Sequence, residues 1–72
     1  MTTKYELQYI DMMRKCKNYR KAQKIPQTEV ADGMHVHQQD ICKIETYSNI
    51  PSVIKFMEYL DAIGLKIVLK EV

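Results

Sequence analysis

Cysteine is scarce in this 72-residue chain: there are only two, Cys16 and Cys42, and neither stands in a CxxC pair. That spacing argues for reduced thiols and against a disulfide framework or a thiolate zinc site. Long apolar runs are missing too, and none approaches the roughly 20 residues of a membrane span, so no membrane association is expected. Met1 is followed by Thr2, Thr3, Lys4, Tyr5 and Glu6, without the basic stretch and apolar block of a secretory leader. The expectation is an intracellular, cytoplasmic protein. Glycine and proline occur twice each, and no glycine-rich loop, internal repeat, linker or low-complexity tract is found. Without such a loop, an oxyanion donor or an orienting third residue, a chain too small for a deep cleft is not expected to be an enzyme. His35 and His37 with Cys42 could suggest a metal site, but a metal needs three or four converging ligands and the expected third helix points Cys42 away from the turn. No metal or other cofactor and no small-molecule substrate is therefore expected.

With 46% hydrophobic and 28% charged residues, the chain reads as a folded globular protein, one domain over residues 1–72. A core of this size buries a modest fraction of its surface, and dimerisation would add what it lacks. The net charge of +2 hides a cluster. Arg14, Lys15, Lys17, Arg20, Lys21 and Lys24 fall within eleven residues that hold no acid. Such a block fits a polyanionic partner and a solvated helix face equally well.

Residues 5–23 contain neither glycine nor proline, and Met12, Cys16 and Tyr19 at i, i+4, i+7 predict an amphipathic helix. On the wheel Arg14, Lys17, Lys21 and Lys24 lie opposite that stripe, while Arg20 lies closer to it. Ile25-Pro26 ends the helix. A short second helix fits residues 27–34, with Val30, Ala31 and Met34 apolar and Glu29 near its positive end. Residues 33–36 read as a tight turn. A third helix follows from His37 or Gln38 to Glu45, with Ile41 and Ile44 inward and Gln38, Gln39, Cys42 and Lys43 outward. After a polar loop, Ser52 can cap a helix that carries Val53, Phe56, Met57, Leu60 and Ile63, and Gly64 stops it. Ile54 and Tyr59 lie off that stripe and fit either a dimer contact or scattered surface hydrophobicity. In the tail Leu65, Ile67 and Leu69 alternate with Lys66, Val68 and Lys70, a strand pattern. A lone strand leaves its backbone groups unpaired, so a second chain is the expected partner for residues 65–71.

Two short helices joined by a tight turn, the second bearing amides and a lysine outward, form the arrangement that places a recognition helix in the DNA major groove. Glutamine offers a donor and an acceptor together and can meet N6 and N7 of adenine, and lysine can reach guanine or phosphate.

At these residues the sequence resembles the lambda-repressor-like, Cro/C1-type helix-turn-helix family, also called the XRE family. The likeness runs from about Met12 to Gly64 and rests on Arg20-Lys21, Ile25, Gln27, Val30-Ala31, Met34, Val36, Ile41, Ile44-Glu45, Pro51-Ser52 and Asp61-Ala62-Ile63-Gly64. Gln38-Gln39 is similar to the recognition helix of phage repressors in the family. The resemblance implies an all-α bundle of four to five helices, with the motif over about residues 27–45. It implies that Gln27 touches a phosphate, that Gln38, Gln39 and Lys43 face the groove with His37 beside them, and that the loop, through Thr46 and Ser48, approaches the backbone. Lys21 of the basic block is expected to hold a phosphate as well. Arg20 and Glu45 would form a structural ion pair. The family pattern has glycine where His35 and Tyr47 stand, and a Thr or Ser cap where Pro26 stands.

The tail is similar to the short strand of HipB-type antitoxins, where strands of two subunits pair, which makes Leu65, Ile67, Val68 and Leu69 the expected dimerisation residues. The function expected on this basis is sequence-specific binding of double-stranded DNA by a homodimeric, bacterial or phage-encoded, nucleoid-associated repressor at a palindromic operator. The alternative is an antitoxin that binds a toxin protein and represses its own promoter.

Overall fold

The computed structural model describes residues 3–71; Met1, Thr2 and Val72, the outer bounds of the expected domain, lie outside the described residues. Among the described residues four helices follow one another: α1 (Lys4–Ala22), α2 (Gln27–Met34), α3 (Gln38–Glu45) and α4 (Val53–Ala62). Helix α1 starts in a capping box: the Thr3 hydroxyl accepts from the Glu6 amide at 3.0 Å, and the Thr3 amide donates to the Glu6 carboxylate at 3.3 Å, so two otherwise unpaired donors are satisfied. Its inward stripe is Tyr9, Met13, Cys16 and Arg20, spaced i, i+4, i+7, i+11 as a helix face requires. This corrects the expected stripe by one position, because Met12 and Tyr19 are 42% and 36% exposed. The helix rolls toward Arg20, whose charge disqualifies it from any hydropathy reading but which finds a buried partner. Of the basic block, Arg14, Lys15, Lys21 and Lys24 are exposed and Lys17 is half-buried; Lys15 pairs with Asp11 at 3.1 Å.

A second correction falls on α4. Tyr59 is 0% exposed and belongs to the core with Phe56, Leu60 and Ile63, whereas Val53 and Met57 are 70% and 51% exposed. A buried tyrosine needs a partner for its hydroxyl, and Tyr59 has one, described below. Ile54, at 71% exposed, stays on the surface. Around these side chains Val30, Ala31 and Met34 of α2 and Ile41 and Ile44 of α3 complete a single cluster.

All four helices stop in the same way. One or two residues past each one the chain turns left-handed, at Lys24 (φ 60°), His35 (φ 58°), Tyr47 (φ 65°) and Gly64 (φ 88°). The next amide then reaches back five residues: Ile25 to Arg20, Val36 to Ala31, Ser48 to Lys43 and Leu65 to Leu60, at 2.8–3.1 Å. This is the Schellman arrangement, in which two of the orphan carbonyls at a helix end gain donors. Ile25, Val36 and Leu65 then fold onto the core. Helix α1 therefore ends at Ala22, and the chain reverses at Lys24, ahead of the Ile25-Pro26 step expected to stop it. A left-handed residue with a Cβ carries about 1–2 kcal/mol of strain, and glycine returns about 0.4–1 kcal/mol of that through a freer unfolded chain. His35→Gly is accordingly expected to raise stability by about 0.5–1 kcal/mol, read as a higher urea midpoint; a lower midpoint would mean that the His35 side chain contributes something beyond its backbone.

Past Gly64 the tail carries no regular secondary structure. Among the described residues no second strand lies beside it, and its one backbone hydrogen bond to the helices is that of Leu65. A strand ladder needs two strands, so a single chain cannot complete the expected one over residues 65–71. Beside the tail, Tyr9, Met12, Ile50, Val53, Phe56 and Ile67 line an open apolar groove of about 350 Å³.

Candidate nucleic-acid interface

Helices α2 and α3 are separated by three residues, 35–37. The left-handed His35 reverses the chain, and Val36 turns inward. His37 then stands at the N-terminus of α3, its amide donating to the Asp40 carboxylate at 3.2 Å. Asp40 thus occupies the first turn, where the helix dipole favours negative charge. Ile41, Ile44 and Glu45 face down into the core, which leaves Gln38, Gln39, Cys42 and Lys43 exposed. The outer face of α3 is an unobstructed row of two amides, a thiol and an ammonium.

Beneath that face a charged network ties the helices together. Arg20 is 5% and Glu45 1% exposed. Arg20 Nε donates to Glu45 Oε2 at 2.7 Å and its Nη2 to Oε1 at 2.9 Å, the forked geometry that suits a guanidinium and a carboxylate. The Tyr59 hydroxyl donates to Oε2 at 2.6 Å, and Gln27 Nε2 to Oε1 at 3.0 Å. Four donors therefore fill the four lone-pair positions of one carboxylate. Arg20 Nη1 donates to the Ile25 carbonyl at 2.6 Å, fixing the chain between α1 and α2. Burial pushes the Glu45 carboxyl up, but the donors from Arg20, Tyr59 and Gln27 outweigh it and hold it below the usual carboxylate value. The bond to Glu45 raises Arg20 against the opposing effect of burial. Burial, followed by the bond to Glu45, drives the Tyr59 hydroxyl far up.

The network reaches the surface. Gln27, half-buried at the start of α2, accepts from Gln38 Nε2 on its own Oε1 over a long 3.4 Å. Its amide is thereby oriented, nitrogen toward Glu45 and oxygen toward Gln38. One Nε2 hydrogen and the Oε1 of Gln38 stay free among the described residues. Beyond α3, the Thr46 hydroxyl donates to the Cys42 carbonyl at 2.8 Å and lies 3.1 Å from that of Ser48, both exposed. Lys43 and Lys21 are also exposed. Of the residues expected to form a site, Gln27 and Gln38 are bonded to each other, Thr46 and Ser48 form a second pair, and Arg20 and Glu45 lie below. Gln39, Lys43 and Lys21 make no side-chain hydrogen bond or ion pair to other described residues.

Sequence reasoning missed Tyr59. Its signal was present: residues 56, 59, 60 and 63 repeat at three and four, a better helical face than one that includes Met57. Cys16 is buried and Cys42 exposed, both as free thiols. Among the described residues no three His, Cys, Asp or Glu side chains converge as metal ligands, and no helix is long and apolar enough to cross a membrane.

No curated protein and no solved structure matches the chain. Residues 17–69, from the last third of α1 into the tail, match the family model described as helix-turn-helix. That span holds α2, the turn, α3 and all of the buried network. With a family model covering most of its length, and with these two helices at its centre, the chain belongs to the helix-turn-helix family of DNA-binding domains, of the Cro/C1 (XRE) type.

Proposed function

We propose that the protein is a transcriptional repressor that binds a palindromic double-stranded operator as a homodimer. The observation that carries this reading is the construction of α3: three inward side chains anchor the helix in the core, while Gln38, Gln39 and Lys43 are exposed on its outer face. In the major groove Gln38 would present a donor and an acceptor to the N7 and N6 of adenine, beside Gln39, with Lys43 reaching guanine or phosphate. The second Nε2 hydrogen of Gln27, the hydroxyls of Thr46 and Ser48, His37 and Lys21 would hold phosphates, which set register without reading sequence.

Selection of bound duplexes from a random library at near-physiological salt tests this. Two α3 helices in successive major grooves call for an inverted repeat with half-sites about 34 Å apart, and enrichment of such a repeat is expected. Salt-sensitive binding to any DNA without enrichment would remove the operator reading. It would turn attention to the antitoxin alternative, for which the exposed Tyr5 and Leu7 on the first turns of α1, 73% and 58% exposed, would offer a protein-binding surface.

A further inference from the structure

We propose that Arg14, Lys17, Lys21 and Lys24 form a track for the DNA backbone outside each half-site, so that the protein holds duplex beyond the base pairs facing α3. This rests on the operator reading above and extends its footprint along α1.

The four side chains form one row. On a helix of 3.6 residues per turn Arg14, Lys17 and Lys21 fall within about 60° of one another, centred about 100° round from the buried stripe of Tyr9, Met13, Cys16 and Arg20. The corrected stripe therefore moves them from the back of α1 to its side. Met12 lies on the other side, where it lines the apolar groove beside the tail. Lys24 continues the row just past the helix end. Successive members stand three or four residues apart, about one helical turn, and the row is roughly 15 Å long.

The protein does not neutralise these charges. Among the described residues Lys15 pairs with Asp11 and Arg20 with Glu45, and none of the four forms an ion pair. Arg14, Lys21 and Lys24 are exposed and Lys17 is half-buried. Like charges three and four residues apart work against a helix, and a polyanion laid along the row would remove that repulsion. A face built only for solvation has no need to exclude acids, yet residues 14–24 hold none.

One end of the row meets the candidate interface. Lys24 stands three residues ahead of Gln27, and Lys21 follows Arg20, whose partner Glu45 also accepts from Gln27 at 3.0 Å. The phosphate proposed for Gln27 thus lies where the row begins, and the same strand can run on past Lys24 and Lys21 toward Arg14. Size sets the direction. Half-sites one turn apart place two copies about 34 Å apart, and one copy measures 33 × 27 × 22 Å. The second copy therefore fills most of the interval between half-sites, and free backbone remains on the outer side of each.

Duplex length reads this contact. Affinity is measured across a salt series on two duplexes with the same selected operator, one cut at the outer ends of the half-sites and one longer by about 10 base pairs, a helical turn, on each side. Each neutralised phosphate adds about 0.9 to the steepness of log affinity against log salt. Arg14→Gln with Lys17→Gln should therefore lower that steepness by about two per copy on the long duplex and leave the short one unchanged. Arg14→Glu alone, at an exposed position, should keep the helical circular dichroism and lose about tenfold or more in affinity on the long duplex only. An equal loss on both lengths overturns the track, because the charges then act within the half-site or through the general field of the protein. No loss on either length also overturns it and leaves the row a solvated face. Competition on the short duplex with Gln38→Ala decides the operator reading separately, so either can fail while the other stands.

Discussion

Glu45→Ala is expected to lower stability by about 3–5 kcal/mol, the usual consequence of leaving a buried charge without its partner. A chain of this length has a total of roughly 4–11 kcal/mol, so the variant should be largely unfolded at 37 °C or close to it. Three groups lose their acceptor at once: the Arg20 guanidinium, the Tyr59 hydroxyl and the Gln27 amide. Removing all the charges together should behave differently. Arg20→Met, Glu45→Leu and Tyr59→Phe in one chain should recover most of the loss, since a buried ion pair is often no more stabilising than apolar groups of similar volume. Urea unfolding of the two variants checks this, and a single-variant loss under about 1 kcal/mol would mean that water reaches Arg20 in its absence. The same network sets the response to acid. Glu45 is held below its unfolded value, which lies near 4.3, so its contribution is fully present above that pH and is lost as pH falls through the lower folded value. Glu45→Gln should flatten the acid limb of the stability curve.

Gln38→Ala should cost about 1–3 kcal/mol on the preferred operator and almost nothing on a site changed at the one base pair it reads. Lys21→Ala should weaken every sequence alike and reduce the slope of log affinity against log salt by about one. Competition binding on operators altered one base pair at a time separates these patterns, and an equal loss for Gln38→Ala on all sequences would remove it from the reading face. Gln27 enters the same experiment. Through its bond to Gln38 it restrains the side chain proposed to read the base, so Gln27→Ala should broaden preference at that base pair as well as lower overall affinity.

The positions of α2, α3 and the turn were legible in the sequence because period, spacing and turn chemistry agree there. The outward row of Gln38, Gln39, Cys42 and Lys43 followed from Ile41 and Ile44. The faces of α1 and α4 were less legible, and for one shared reason. Each turns toward a polar group that a hydropathy pattern assigns to solvent, Arg20 in one case and Tyr59 in the other, and both are drawn inward by a carboxylate on a third helix, Glu45. A pairing over 25 residues leaves no local trace in the chain. The tail was legible as a strand pattern, but its completion depends on a second molecule and so on nothing within one copy.

The four alike helix ends bear on how quickly the chain finds its fold. At each joint the reversal is made by one left-handed residue and a hydrogen bond five residues long, so the angle between successive helices is encoded locally and can form before any core exists. Loops closed over so few residues lose little entropy, and helical domains dominated by such contacts fold in microseconds to milliseconds. The search left for the chain after its helices form is a short one: to bring Glu45 between Arg20 and Tyr59.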